Sequence, residues 1–230
     1  MIEHNAHHRL RVQGRVGSVA LDADLALTAP WTVLFGPSGS GKSSLLRAAA
    51  GVLPALQVEF TRGKLRLDPL AAHRRQLGYA PQSTALFPHL TVRENLAFPA
   101  AVAGGTSNND DLIALFRLGA LLLRSPQDLS GGERQRVALA RAFAAPRAKL
   151  LLLDEPFTGL DRRLRDELLP QMRSWCATRG LPVLSVTHDV DEALLLEAEV
   201  ARFNEGRVVA QGITRDVLAE EREQCLTALR

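Results

Sequence analysis

Residues 9–16 and 19–27 alternate apolar and polar side chains, a period of two that predicts antiparallel strands with a turn at Arg15–Ser18. Thr32–Phe35, Leu77–Ala80, Lys149–Leu153 and Pro182–Val186 are instead short, mostly unbroken apolar runs. Strands of that texture are buried on both faces, as in a parallel sheet covered by helices. Helical stretches lie between them. Lys42–Ala50 is rich in helix formers and stops at Gly51, with Pro54 beyond it. Arg134–Ala144 follows Gly132, Arg162–Arg179 carries a Pro170 that should interrupt it, and Asp191–Glu197 is short. Thr61–Asp68 reads as one more strand, and Val200–Phe203 and Val208–Gln211 flank Asn204–Gly206 as a hairpin. From Gln82 to about Ser125 the texture changes. Pro88, Pro99, Gly104–Gly105 and Ser107–Asp110 punctuate short helical pieces, the pattern of an inserted helical subdomain. Strands alternating with helices, without an internal repeat or a long linker, predict an α/β fold with a parallel sheet.

Composition changes this picture little. The chain has 230 residues, 46% hydrophobic and 23% charged, which excludes disordered and collagen-like classes. Its longest apolar runs fall far short of the roughly 18 residues that a membrane span needs. Met1–Arg11 is polar and lacks an apolar stretch, so no secretory leader is expected. Two cysteines, Cys176 and Cys225, make no disulfide framework and fit a reducing, cytoplasmic compartment. The 28 basic and 25 acidic residues leave a net charge of +3, and only Lys42, Lys64 and Lys149 are lysines. The arginines of 134–141 and 162–165 interleave with acids or apolar residues and read as solvated helix faces. Nucleic acid is therefore not expected as a partner.

The strongest chemical signal is Gly36-Pro37-Ser38-Gly39-Ser40-Gly41-Lys42-Ser43, with Ser44 next, between a predicted strand and a predicted helix. This is the P-loop pattern in its required context. Its glycines let backbone N–H groups face phosphates, and the helix N-terminus adds its positive dipole end. Lys42 brings a point charge to the β- and γ-phosphates, and the Ser43 hydroxyl suits Mg²⁺. A second strand, Leu150–Leu153, ends in Asp154 and Glu155. Ligands of open parallel sheets bind at that end of the strands. Asp154 suits the metal and Glu155 the water that attacks the γ-phosphate. Leu129-Ser130-Gly131-Gly132-Glu133-Arg134-Gln135 precedes a helix. On physical grounds alone it is an N-cap, since one chain does not need two phosphate cradles.

Residues 129–135 resemble the signature motif of ATP-binding cassette (ABC) ATPases. Gln82 in Tyr79-Ala-Pro-Gln resembles the Q-loop, Asp161 in Thr158-Gly-Leu-Asp the D-loop, and His188 in Val186-Thr-His-Asp the switch histidine. The resemblance spans essentially the whole chain. It implies a P-loop cassette with a mostly parallel core sheet and an antiparallel β-subdomain, about 1–82 and 136–230, and an α-helical subdomain, about 83–135. It also implies ATP and Mg²⁺ as ligands. Glu155, His188 and Gln82 would be catalytic, and Ser43, Gln82 and Asp154 would serve the metal. The P-loop would hold one nucleotide, and Ser130, Gly131, Gly132 and Asp161 would face a partner chain's nucleotide in a head-to-tail homodimer. Related cassettes place an adenine-stacking ring some twenty residues before the P-loop, where this chain has Val16-Gly17-Ser18-Val19. Trp31, five residues before Gly36, is expected in the core, and His73 and His89 on the surface.

Ala85–Leu96 resembles the segment of prokaryotic import ATPases that meets a separate membrane subunit. Glu167-Leu-Leu-Pro170 and the ring-free N-terminal hairpin look most like the molybdate and oxyanion importers. The resemblance thus implies permease subunits, a separate solute-binding protein and a peripheral place at the cytoplasmic face of the inner membrane. Some of those relatives carry a C-terminal regulatory domain, which is not expected in a chain ending at Arg230. The alternatives are a non-transport ABC ATPase or the ATPase subunit of an exporter.

Overall fold

The computed structural model describes residues 7–53, 56–106 and 108–221. Cys225, Pro54, Ser107 and half of the polar N-terminal segment lie outside them. The alternating segments form β1 (His8–Val16) and β2 (Val19–Leu27), paired antiparallel from His8–Leu27 to Val16–Val19. Leu10, Val12, Leu21 and Leu25 form their buried face. The wholly buried β3 (Trp31–Phe35) leads through the Gly-rich loop into α1 (Lys42–Ala50). Trp31 is in the core as expected, its indole N–H donating to Ser185 Oγ at 2.9 Å.

Thr61–Asp68 is not one strand. The chain forms β4 (Gln57–Arg62) and β5 (Leu65–Arg66), because Gly63–Lys64 turns it back and pairs Arg62 with Leu65. Arg75 then braces the end of α1. Its guanidinium donates to Ala48 O and Ala49 O in the last turn of α1, where carbonyls lack intrahelical partners, and to Asp68 O and Leu70 O in the loop after β5, at 2.7–3.1 Å. Arg75→Ala is expected to destabilise the fold by about 2–3 kcal/mol, the scale of buried charged hydrogen bonds, as read by chemical denaturation.

The next elements are β6 (Leu77–Ala80), α2 (Val92–Val102), α3 (Asp110–Leu115), α4 (Gly131–Phe143) and β7 (Leu150–Asp154). Pro99 lies within α2 instead of ending it. Then come α5 (Arg162–Thr178), β8 (Val183–Thr187), α6 (Val190–Leu195), the hairpin β9 (Glu199–Asn204) and β10 (Arg207–Ile213), and α7 (Thr214–Val217). The expected break in α5 is absent. Pro170 is exposed, so water can take the carbonyl it releases, while Leu168, Leu169, Met172 and Cys176 anchor the buried face.

Two sheets result. The smaller is antiparallel, ordered β2-β1-β4-β5; the larger is ordered β10-β9-β3-β8-β7-β6 and is parallel except at β9–β10. Alternate residues of the central strands feed two cores. Val33, Leu151, Leu153 and Val200 pack with α4 and α5, while Leu34, Leu150, Leu152 and Val186 pack with α1 and the smaller sheet. Among the described residues no helix is long and apolar enough to cross a membrane.

Candidate functional site

Parallel pairing brings four strand ends to one edge of the larger sheet. Phe35 pairs with Thr187, Asp154 with Val186 and Ala80 with Leu153. The residues that follow these ends are the loop 36–41, His188, Glu155 and Gln82. Segments far apart in the chain therefore meet because their strands are neighbours.

The loop is shaped by close approach. A Cβ on Gly36 would lie 2.0 Å from the Phe203 carbonyl oxygen. Gly41, at φ +104°, caps α1 and would press a Cβ to 2.6 Å from Leu21 and 3.2 Å from Val19. Pro37, Ser38 and Gly39 are exposed, Ser40 is buried and Ser44 is half-buried. Lys42 is 5% exposed and folds back over the loop, its Nζ donating to Gly36 O at 2.8 Å and Pro37 O at 2.7 Å. Burial lowers its pKa, and the nearby Glu155 and Asp154 carboxylates oppose that shift. An ammonium held this way is ready to exchange loop carbonyls for phosphate oxygens.

The Ser43 hydroxyl donates to Asp154 Oδ1 at 2.8 Å, joining α1 to the end of β7. Burial, chiefly, raises the Asp154 carboxyl. Glu155 sits in the left-handed region at φ +46°, which turns its side chain out of the strand. Gln82 Nε2 donates to Glu155 Oε2 at 3.2 Å, and His188 Nδ1 lies 3.8 Å from Glu155 Oε1. The structure thus brings together Lys42, Ser43, Asp154, Glu155, Gln82 and His188.

Ser130, Gly131, Gly132 and Asp161 are not part of that cluster. Ser130 caps α4 in a reciprocal box: its Oγ accepts from Glu133 N–H at 3.3 Å, and Glu133 Oε2 accepts from Ser130 N–H at 2.7 Å. Asp161 caps α5, accepting from Leu164 N–H at 2.9 Å. Ser130, Gly131 and Asp161 are nonetheless exposed, and Gly132 faces Gly159, whose carbonyl oxygen would be 3.2 Å from an added Cβ. The two caps and this contact place the 130–132 and 158–161 turns side by side on the surface.

The family profile described as ABC transporter matches residues 26–158, more than half of the chain. The chain belongs to the ABC transporter family. A molybdenum import ATP-binding protein of Rhodopseudomonas palustris is 42% identical over 215 residues, covering 89% of this chain and 57% of that protein. A molybdate/tungstate import ATP-binding protein of Archaeoglobus fulgidus is 37% identical over 219 residues, covering 92% of this chain and 89% of that protein. The chain spans little more than half the length of the Rhodopseudomonas relative. A solved dimeric bacterial ABC transporter cassette superposes with a TM-score of 0.79 at 24% identity, over 90% of this chain and 99% of that one. That likeness establishes the ABC cassette fold.

Several contacts that shape this cassette could not be read from any spelling in the sequence. Gln135 of α4 reaches across to donate to Pro156 O at 2.7 Å, tying the helix after Ser130 to the loop after Glu155. Buried Asn95 donates to Phe87 O, Leu90 O and Thr91 O and accepts from Phe87 N–H, folding the segment that follows Gln82. The arginine clusters are not uniformly solvated faces. Arg136 donates to Phe116 O and Arg117 O, Arg141 stacks over Phe87 and donates to Ala85 O, and Arg165 is nearly buried among carboxylates. Their spacing to acids along the helix suggested solvent. The third dimension supplies partners from other elements.

Proposed function

We propose that this chain is the ATP-hydrolysing subunit of a multi-subunit membrane importer for molybdate or a related oxyanion. It would work at the cytoplasmic face of the membrane with separate permease subunits and a solute-binding protein. The observation that carries the ATPase reading is the convergence of the Lys42 loop, the Ser43–Asp154 pair and the Gln82–Glu155–His188 group at one sheet edge. The oxyanion reading is supported by the names of the bacterial and archaeal relatives, a molybdenum and a molybdate/tungstate import ATP-binding protein.

In this reading the loop from Gly36 to Gly41 receives the phosphates on backbone N–H groups, and Lys42 transfers its hydrogen bonds to them. Val19 and Leu21, which pack against Gly41, put aliphatic surface where related cassettes have a ring, so the phosphates carry most of the recognition. Ser43 and Asp154 fit Mg²⁺. They are hard oxygen donors already joined at 2.8 Å, and Mg²⁺ takes few protein ligands beside phosphate oxygens. Gln82 would be near the same ion. The metal, when bound, would neutralise charge on the phosphates. Glu155 takes a proton from the attacking water as the new P–O bond forms and the bond to ADP breaks. Gln82 orients that carboxylate, and His188 hydrogen-bonds the γ-phosphate side. We further propose that residues of about 83–135 act as a helical subdomain that carries Ser130–Gly132 to a second copy's nucleotide.

Lys42→Ala is expected to weaken ATP binding at least tenfold, the loss of about 1.4 kcal/mol or more, in equilibrium dialysis with labelled ATP. An unchanged Kd would remove Lys42 from the site. Proteoliposomes holding the permease and solute-binding protein test the cargo: hydrolysis should rise with molybdate and not with an unrelated anion.

A further inference from the structure

A buried polar cluster lies behind Glu155. Thr187 ends β8 and Glu192 lies in α6; they are only 4% and 6% exposed. The Thr187 hydroxyl donates to Glu192 Oε2 at 2.6 Å and accepts from Asp189 N–H at 3.1 Å. Asp189 Oδ1 accepts from the N–H groups of Asp191 and Glu192, at 2.8 and 3.3 Å, and so caps α6. Asp189 Oδ2 accepts from Arg165, whose Nη1 also stands 3.6 Å from Glu192 Oε1. Of the two neighbours of His188, Thr187 is therefore bonded to the Glu192 carboxylate directly, and Asp189 is joined to it through Arg165 and to the Glu192 backbone N–H. The imidazole itself is 64% exposed and faces Glu155. Glu155, Thr187, His188, Asp189, Arg165 and Glu192 line one cavity of about 190 Å³.

We propose that ionised Glu192 is a positioning residue for His188, holding Thr187 and Asp189 so that the switch histidine faces the γ-phosphate. The inference rests on the reading of His188 given above. With Glu192 ionised, the Thr187 hydrogen has an acceptor and Arg165 bridges two carboxylates. With Glu192 protonated, the acid can donate to Thr187 itself, which turns the buried Thr187 hydrogen away from that acceptor and loosens Arg165. Burial is the main cause that lifts the Glu192 carboxyl from 4.5 to about 7, and Asp189 and Glu155 push the same way against the Thr187 hydrogen bond and Arg165. Of the other charges on the packed helices, Asp166 pairs with Arg165, Asp191 with Arg162, Glu167 with Arg163 and Arg117, and Arg173 with Glu197. Arg215 and Asp216 of α7 are exposed and make no ion pair with this cluster among the described residues.

The signs of the two consequences differ. The folded chain binds the Glu192 proton more tightly than the unfolded chain does. Stability from that proton is complete below about pH 4.5 and is lost as pH rises through about 7. Turnover runs the other way, rising as Glu192 ionises and fixes the loop.

The test is steady-state ATP hydrolysis by the full chain, comparing wild type with E192Q, T187V, T187S and H188A from about pH 5.5 to 9. E192Q offers Thr187 an acceptor without charge. At high pH its kcat should fall about fivefold with KM for ATP within about twofold, and the wild-type inflection near pH 7 should disappear. T187S should restore most of what T187V loses. Melting of E192Q should gain on wild type between about pH 5 and 7, a readout independent of turnover. A rate lowered in parallel with wild type at every pH, or a constant melting gap, overturns the inference. If H188A hydrolyses at the wild-type rate, the reading of His188 falls with it. If H188A is impaired while E192Q keeps the wild-type profile, only the role of Glu192 falls.

Discussion

Glu155→Gln is expected to bind ATP normally and hydrolyse it at least about 10²-fold more slowly, the scale for removing a positioned base. The substitution is isosteric. The amide oxygen can still accept from Gln82 Nε2 and from the Thr158 hydroxyl, which now stand 3.2 and 3.4 Å from Oε2. The left-handed backbone at residue 155 is unaffected by the exchange, so the loop after β7 keeps its course. What disappears is the capacity to take a proton from water. Single-turnover phosphate release with saturating Mg-ATP measures this. A wild-type rate would show that Glu155 does not take that proton.

Ser130→Arg is expected to abolish ATP turnover in the assembled complex while leaving ATP affinity of the isolated chain within about twofold. Ser130 is exposed at the start of α4 and has no bond to Lys42 or its loop. Its structural work is one cap, worth about 1 kcal/mol. An arginine there adds bulk and positive charge to a turn that, in the proposed dimer, lies against the other chain's nucleotide. Ser130→Ala loses the same cap without the bulk, so its melting temperature separates cap loss from obstruction of the shared site.

The candidate site residues could be picked out because each belongs to a short contiguous spelling at a strand end or helix start. Gly36–Ser43 and Asp154–Glu155 needed only a correct reading of two buried apolar runs, whereas His188, Gln82, Ser130 and Asp161 were singled out through the family resemblance. Arg165 and Glu192 were not legible, nor was the contact of Gln135, although that residue closes the 129–135 spelling. Arg165 meets Asp189 across 24 residues and Gln135 meets Pro156 across 21, and no local period reports such pairs. The arginines misled for the same reason: acids nearby in sequence imply solvated helix pairs, whereas Arg141 finds Phe87 and Ala85 in space. Pro170 misled in the opposite direction. A proline removes one helical hydrogen bond, but α5 runs on through it with four buried side chains anchoring its inner face.

The central claim is that nucleotide joins two copies through Lys42 of one and Ser130–Gly132 of the other. Two such sites would close by two-fold symmetry and reopen when hydrolysis removes the γ-phosphate contacts. Light scattering of Glu155→Gln across a protein concentration series, with and without Mg-ATP, tests it most directly. The account predicts a shift to twice the 25.0 kDa chain mass with Mg-ATP only, and no shift at any concentration once Ser130→Arg is added. A dimer that forms equally well without nucleotide, or that survives Ser130→Arg, would contradict it.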